Sequence, residues 1–351
     1  MIKKCSGALA SLSLLTLGGV LFSAASAVSA QAAQLPGIAG EQRPTLQLIE
    51  KIALPNVVGR IDHMALDAKR KRLFVAACGN DTVEVIDYPL GRVFCTLKGF
   101  SFPKGIIYVP DFDRLYVVSA GDGTIRVLDS GYRPIETIRI GFAADFITYS
   151  TVTKRLYMTI DENGGGIMVI DAQTNKVLDF IQTNGTPEDL QVDAKGEFLY
   201  TNIPDDSDHV NVINLKTKEI KRWAVGARSP IPLALDDASR RLFVVTRKPA
   251  QLVVFNIDTG KEVARLATAR DSANMAWDKD RKRIYVMGGE GRLDSFQQKG
   301  PDSYELLDSI KTEVEMRTGI LHQTRGMLYA PVPAHGDSPA ELWNFETHNH
   351  D

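Results

Sequence analysis

Three familiar catalytic signatures are missing from the sequence. It contains no Gly-x-Ser-x-Gly nucleophile elbow, no His-Glu-x-x-His metal motif and no phosphate-binding loop. These motifs place a nucleophile, a zinc ion or a nucleotide phosphate at a defined point of a fold. Their absence favours a non-catalytic protein over an enzyme of those classes.

An excess of basic residues is missing as well. The chain has 41 Lys and Arg against 43 Asp and Glu, a formal charge of -2, and loss of Lys3 and Lys4 with a cleaved leader would make it -4. A protein that binds nucleic acid without sequence preference needs a basic face. We therefore do not expect nucleic acid to be the main partner.

Long apolar runs occur only at the N-terminus. Lys3 and Lys4 precede an uncharged apolar run through Phe22, and small residues follow it up to Ala33. This pattern predicts a signal peptide over residues 1–30, a disordered leader over 31–43, and a periplasmic or secreted protein. No later segment is long and apolar enough to span a bilayer, so no membrane span is expected after cleavage.

A repeat dominates the rest of the chain. A basic residue, Leu or Ile, and an aromatic residue recur with slight variation, and the central Leu or Ile residues lie 42, 41, 43, 43, 42 and 44 positions apart. The seven copies begin at Arg72, Arg114, Arg155, Phe198, Arg241, Arg283 and Met327. A second mark, such as Val169-Ile170-Asp171, follows most of them. Seven copies at this period indicate one repeat architecture rather than two domains.

Each repeat reads as four short strands. In the third copy these are Phe146–Tyr149, Arg155–Thr159, Ile167–Asp171 and Val177–Ile181, with turn residues between them. Alternation at a period of two predicts antiparallel strands, and four strands in about 42 residues predict a propeller blade.

The seventh copy lacks a fourth strand. The unused strand pattern lies at residues 46–54, ahead of the first copy. We therefore predict an all-β, seven-bladed β-propeller over residues 44–346, with four-stranded blades. The N-terminal strand should complete the last blade and close the ring, and residues 347–351 should form a C-terminal tail.

The turn sequences support a family resemblance. Asp171-Ala172-Gln173-Thr174-Asn175-Lys176-Val177, Asp258-Thr259-Gly260-Lys261-Glu262-Val263 and Arg283-Ile284-Tyr285-Val286 resemble the YVTN repeat of bacterial YncE-like β-propellers. The resemblance covers the chain after the leader and implies an exported propeller. It is specific for the fold rather than for a function, because the repeat motif is structural.

Cysteine is scarce. Apart from Cys5 in the leader, only Cys78 and Cys95 occur, and an exported chain makes a disulfide the first expectation. The strand pattern places a further strand between them, at a lateral separation of about 9–10 Å. We therefore predict no disulfide between these two residues.

The candidate site follows from the geometry of a propeller, whose ligands bind where the loops entering the inner strands meet the central channel. Alignment of the repeats places one residue from each blade at the same entrance position, and five of the seven are charged. With their neighbours, the predicted ligand-binding residues are Arg60, Asp62, His63, Lys104, Asp145, Glu188, Asp189, Asn274 and Arg317.

The charges of this set predict two sectors. Asp145, Glu188 and Asp189 come from adjacent blades and could hold a divalent cation such as calcium. Arg60, Lys104 and Arg317 are expected across the ring and would suit an anionic group. A wet channel mouth that tolerates charges without binding anything is the alternative.

Two functional classes remain open from the sequence. The first is a monomeric, non-catalytic scaffold that binds a small-molecule ligand or an exported protein partner. The second is a propeller enzyme, a lactonase-like hydrolase or a quinoprotein-like oxidoreductase, with His63 and Asp62 as acid and base at the same entrance.

Overall fold

Seven four-stranded antiparallel sheets make up almost all of the regular structure in this computed structural model, which describes residues 44–162, 164–204 and 208–348. The first strand, β1 (Leu46–Leu54), precedes blade one. Blade one contains β2 (Met64–Asp67), β3 (Arg72–Ala77), β4 (Thr82–Asp87) and β5 (Arg92–Lys98). Blade two contains β6 (Pro103–Val109), β7 (Arg114–Ser119), β8 (Thr124–Leu128) and β9 (Pro134–Arg139). Blade three contains β10 (Ala144–Ser150), β11 (Arg155–Ile160), β12 (Gly166–Asp171) and β13 (Val177–Gln182).

The remaining blades repeat this order. Blade four contains β14 (Leu190–Val192), β15 (Phe198–Ile203), β16 (His209–Asn214) and β17 (Ile220–Ala224). Blade five contains β18 (Arg228–Asp236), β19 (Arg241–Lys248), β20 (Ala250–Asn256) and β21 (Lys261–Ala267). Blade six contains β22 (Ser272–Asp278), β23 (Arg283–Gly288), β24 (Arg292–Gly300) and β25 (Ser303–Lys311). Blade seven contains β26 (Ile320–His322), β27 (Met327–Val332), β28 (Ala340–Thr347) and, as its outer strand, β1.

The ring closes as predicted. β1 pairs antiparallel with β28 from Leu46 opposite Thr347 to Leu54 opposite Ala340. The first strands of neighbouring blades contact one another in sequence around the ring, and β26 contacts β2 at the closure. This arrangement places the seven first strands around a central channel. The predicted seven-bladed propeller is confirmed.

The two repeated sequence marks have different structural roles. Each copy of the first mark contributes one aromatic ring that is almost fully buried between blades: Phe74, Tyr116, Tyr157, Tyr200, Phe243, Tyr285 and Tyr329. The last residue of the second mark accepts backbone hydrogen bonds in the following turn. Asp171 Oδ1, for example, accepts from Gln173 N and Thr174 N, and Asn256 Oδ1 accepts from Asp258 N and Thr259 N. One mark therefore packs the blades and the other forms the outer turn.

The C-terminal boundary of the propeller differs slightly from the sequence expectation. β28 runs to Thr347, and His348 N donates to Thr45 O, so the ordered propeller extends two residues past the predicted boundary at 346. The predicted signal peptide, the leader and residues 349–351 of the tail lie outside the described residues. Within the described ranges, no helix is long and apolar enough to cross a membrane.

The cysteines lie in blade one. Cys78 is buried and its thiol donates to Pro103 O at 2.7 Å, while Cys95 is half-buried on β5. β4 lies between β3 and β5 in this blade, as the sequence predicted. Cys78 is a free thiol and therefore is not joined to Cys95.

Candidate functional site: the mouth of the central channel

A polar cavity of about 230 Å³ opens at one end of the central channel. We call it the mouth cavity, and it is lined by Arg60, Asp62, His63, Lys104, Asp145, Phe146, Glu188, Asp189, Ile231, Arg247, Ala273 and Arg317. Every blade contributes its entrance residue from the repeat alignment. In chain order these are Asp62, Lys104, Asp145, Glu188, Ile231, Ala273 and Arg317. Eight of the nine predicted site residues lie together in this cavity.

Asn274 is the exception. It lines a second cavity of about 430 Å³, which we call the channel cavity, together with Met64, Ile106, Ile147 and Met275 from the first strands. His63 and Phe146 border both cavities. Asn274 therefore lies outside the mouth cavity, beside apolar residues of the first strands.

Irregularities at the start of the first strands turn the entrance residues into the mouth cavity. The pairing register shifts between Pro103 and Ile106 in blade two and between Ala144 and Ile147 in blade three. Similar shifts flank Ile231 in blade five and Ala273 in blade six. A bulge of this kind re-aims a side chain without ending the strand.

A glycine allows two of these bulges to approach closely. A Cβ on Gly105 would lie 2.4 Å from the backbone oxygen of Asp145. Only a residue without a side chain fits at this contact. Gly105 therefore brings blades two and three close enough for Lys104 to reach Asp145.

Asp145 and Lys104 form a buried ion pair in the mouth cavity. Lys104 Nζ donates to Asp145 Oδ2 at 2.8 Å, and Asp145 is only 6 % exposed. Among the described residues, no hydrogen-bond donor reaches the other oxygen, Asp145 Oδ1. Burial opposes ionisation of Asp145, but His63 and Lys104 together hold the pKa of this carboxyl well below its usual range.

Asp62 and His63 complete the cluster. Arg60 Nη2 lies 2.7 Å from Asp62 Oδ2. His63 Nε2 lies 3.6 Å from Asp62 Oδ1 and 3.7 Å from Asp145 Oδ1, so the imidazole bridges two carboxylates. The ring packs edge-on against Phe146, at 5.1 Å between centroids.

These carboxylates set the charge of His63. Burial lowers the pKa of an imidazole, but here the opposing charges of Asp62 and Asp145 dominate and raise it to about 9. His63 is therefore cationic at neutral pH in the protein as described. We call Asp62, His63 and Asp145, with Arg60 and Lys104, the acid side of the mouth cavity.

The two acids of blade four differ from each other. Burial, reinforced by the charge of Asp145, raises the pKa of Glu188 to about 7. Burial also raises the pKa of Asp189 to about 6, partly offset by the backbone N–H of Leu233. Asp189 accepts from Leu190 N at 2.6 Å and from Leu233 N at 2.8 Å. Its carboxylate therefore ties blade four to blade five, with one backbone N–H bonded to each oxygen.

Opposite the acid side, two arginines share one acid. Arg247 Nη2 lies 3.7 Å from Asp271 Oδ1, and Arg317 Nη1 lies 3.4 Å from Asp271 Oδ2. Arg247 Nε also donates to Ser272 O at 2.9 Å. Burial and the nearby Arg317 and Arg60 lower the pKa of Arg247. We call Arg247, Asp271 and Arg317 the arginine side.

Sequence reasoning missed Arg247. It lies five residues after the Leu of its repeat mark, at the end of β19, where blades one and three carry Cys78 and Asp161. Cys78 lies 3.9 Å from Asp62, and Asp161 raises the pKa values of Lys104 and Glu188. Alignment of this second position across the repeats would have identified Arg247.

The expected separation into acidic and basic sectors is only partly present. Arg60 and Lys104 do not face the acids from across the ring; they form direct ion pairs with Asp62 and Asp145. Lys104 meets Asp145 because adjacent blades place their entrance residues side by side, whereas Arg60 and Asp62 are two residues apart in the segment that enters blade one. Only Arg317 lies on a separate, basic side.

The group that could hold a metal ion also differs from the predicted set of Asp145, Glu188 and Asp189. Within the described ranges, the three-residue group with ligand atoms within 4.8 Å of one another is Asp62, His63 and Asp145. Asp145 belongs to both sets. Whether either set binds an ion remains a prediction.

Comparisons with known proteins bear on the fold. A chain of Kuenenia stuttgartiensis hydrazine synthase superimposes with a TM-score of 0.71 at 17 % identity, covering 84 % of this chain and 98 % of that one. A chain of the mitotic checkpoint complex gives 0.72 at 15 % identity, covering 92 % and 99 %. No family model matches this sequence, and no curated protein matches it significantly. At these identities the similarity shows a β-propeller and nothing about chemistry.

Proposed function

We propose that this protein is an exported, YncE-like β-propeller that binds a small anionic molecule in the mouth cavity without transforming it. Export is proposed from the signal-peptide pattern of residues 1–30. The YncE-like relationship is proposed from the YVTN-type turns. The ligand class is proposed from the arginine side.

The observation that carries the proposal is the incomplete pairing of Arg247 and Arg317. Charge-assisted hydrogen bonds are typically about 2.7–2.9 Å long, whereas both guanidinium groups approach Asp271 at 3.4–3.7 Å. Two cations therefore share one distant carboxylate. Guanidinium donors remain available for a carboxylate or phosphate group, which they can bind in a bidentate manner.

The electrostatics of the rim favour the same class of ligand. Arg60, Arg247 and Arg317 border one cavity, and the first and third of these help to lower the pKa of the second. Like charges held together are relieved by an anion between them. An anion that bridges Arg247 and Arg317 would relieve this repulsion.

The size of the mouth cavity limits the ligand. Its volume of about 230 Å³ is smaller than the roughly 300–1,000 Å³ of pockets that enclose drug-sized molecules. The polar lining also offers few apolar contacts. We therefore expect an anion the size of phosphate or a short dicarboxylate.

A propeller enzyme is the second candidate. The observation that favours it is the contact of 3.6 Å between His63 and Asp62, the pair expected to act as acid and base. Turnover of a lactone that is abolished in His63→Ala would support this candidate. Ligand binding without turnover supports the scaffold.

The test is a thermal-shift series with phosphate, succinate and citrate, performed in the presence of EDTA. At least one anion should raise the melting temperature by a few degrees at saturating concentration, because it binds only the folded state. The Arg247→Ala/Arg317→Ala double variant should lose the shift. Arg133→Ala is the control, because Arg133 is exposed and pairs with Asp129 far along the chain from these residues.

Two results would contradict the proposal. One is the absence of any shift with all three anions. The other is an equal shift in the double variant and the wild type, which would place anion binding elsewhere on the surface.

A further inference from the structure

We propose that Asp62, His63 and Asp145 form a binding site for a divalent transition-metal ion, with Zn²⁺ as the best fit. This inference goes beyond the proposed anion binding and does not depend on it. It also names a different donor set from the all-carboxylate calcium set that the sequence suggested.

The donor atoms are already close together. His63 Nε2 lies 3.6 Å from Asp62 Oδ1 and 3.7 Å from Asp145 Oδ1. Two ligands about 2.0–2.1 Å from a tetrahedral zinc ion lie about 3.3 Å apart. The two distances from His63 Nε2 therefore need to shorten by only a few tenths of an ångström, and all three ligand atoms already lie within 4.8 Å of one another.

A buried oxygen atom that accepts no hydrogen bond from the described residues points into the group. Asp145 is 6 % exposed, and no described hydrogen-bond donor reaches its Oδ1 atom. A buried carboxylate oxygen without a partner is unfavourable. A metal ion between Asp145 Oδ1 and His63 Nε2 would satisfy it, and binding would release to solvent the proton that His63 carries in the metal-free protein.

A cation contacts the second oxygen of each of the two carboxylates, Asp62 and Asp145. Arg60 lies 2.7 Å from Asp62 Oδ2, and Lys104 donates to Asp145 Oδ2 at 2.8 Å. Each carboxylate therefore presents one oxygen to the group while a cation fixes the other. Outer hydrogen bonds of this kind orient ligands in known metal sites.

The ring of His63 is also constrained. Phe146 packs against it edge-on, and Thr318 Oγ1 donates to the backbone oxygen of Asp62 next to it in sequence. Blades one, three and seven thus contribute to one fixed arrangement. A site on rigid strands needs little reorganisation to bind an ion.

The donor chemistry selects the metal. An imidazole nitrogen with two carboxylate oxygens suits zinc and its neighbours, whereas Ca²⁺ takes six to eight oxygen ligands. Three protein ligands leave one position of a tetrahedral zinc ion open. Since Asp62 and Asp145 are already balanced by Arg60 and Lys104, the bound ion would add positive charge and attract an anion to that position.

The test is titration of the EDTA-dialysed protein with ZnCl₂, with bound metal measured by mass spectrometry and with Co²⁺ as a spectroscopic probe. We expect one zinc ion per chain and visible Co²⁺ bands typical of a low-coordinate site. His63→Gln and Asp62→Asn should each weaken zinc binding at least 100-fold. His335→Gln is the matched control, because His335 pairs with Glu315 at 3.6 Å on the surface.

Circular dichroism should show that each variant is folded, and Asp145→Asn provides a third independent variant. Three results would overturn the proposal: no zinc bound by the wild type, one zinc ion retained by His63→Gln, or loss of zinc in His348→Gln/His350→Gln, which would place it in the tail. Calcium binding that survives His63→Gln would also overturn it. None of these results depends on the anion tests.

Discussion

The acid side and the arginine side of the mouth cavity pair their charges differently. On the acid side, Asp145 is 6 % exposed and lies 2.8 Å from Lys104. On the arginine side, Arg247 and Arg317 approach Asp271 no closer than 3.4 Å. The first side is internally paired and the second keeps donors available. The comparison shows a rigidly paired acid side, and it is the basis of our proposal that the arginine side binds exchangeable anions.

The largest effect should come from opening the ring that holds the two sides together. Deletion of residues up to Leu54 removes β1, the outer strand of blade seven, and exposes the edge of β28. We expect aggregation or loss of cooperative unfolding in calorimetry. A chain that begins at residue 44 is the control. Similar melting of the two proteins would contradict the closure as a source of stability.

The next effect compares one residue from each side. Asp145→Ala leaves Lys104 buried without its partner and should cost about 3–5 kcal/mol of unfolding free energy. Arg317→Ala removes a half-exposed contact and should cost about 1 kcal/mol or less. Urea unfolding in the presence of EDTA measures both. Equal losses of unfolding free energy in the two variants would contradict the distinction between a tightly paired acid side and a loosely paired arginine side.

The unfolding free energy of the metal-free protein, measured over a pH series, should show the contribution of the acid side. The pKa of His63 is raised to about 9 from an ordinary value of 6.5. Its stabilising contribution is therefore full below pH 6.5 and is lost as the pH rises towards 9, by at most about 3 kcal/mol. His63→Gln should remove this loss while His335→Gln keeps it. The raised pKa of Glu188 adds a loss of stability in all three proteins as the pH rises from 4.5 to about 7.

The smallest predicted effect concerns anion affinity at the arginine side alone. Asp271→Asn removes the carboxylate that Arg247 and Arg317 share. An exposed pair of this kind is worth about 0.2–1 kcal/mol, so succinate should bind up to about fivefold more tightly. Isothermal titration measures the change. Weaker binding in this variant would mean that Asp271 orients the arginines rather than competing for them.

The fold could be predicted because the repeated residues are the ones that pack the blades against one another. Tyr116 shows the reason: its ring is buried, and its hydroxyl donates to Ala172 O and Asn175 Oδ1 of the next blade. An aromatic residue at this position in every copy is required to join one blade to the next. The period therefore determined both the number of blades and the strand that closes the ring.

The site could be predicted only as a set of positions. Alignment identified most of the charged residues that surround the mouth cavity, because the ring places equivalent positions at one level, but it missed Arg247. It could not identify the partner of each charge, since the bulges near Lys104 and Asp145 and the close approach at Gly105 depend on backbone geometry. For the same reason it could not show that Asp189, predicted as a ligand, also accepts hydrogen bonds from the backbone N–H groups of Leu190 and Leu233.

The most direct test of the central claim is a crystal structure of the protein grown with selenate, with the anion located by anomalous scattering. The account predicts a selenium peak in the mouth cavity, with selenate oxygens about 2.7–2.9 Å from guanidinium nitrogens of Arg247 and Arg317. Crystals of Arg247→Ala/Arg317→Ala should lack that peak. Selenate bound to other surface arginines, with none between Arg247 and Arg317 in the wild type, would contradict the account.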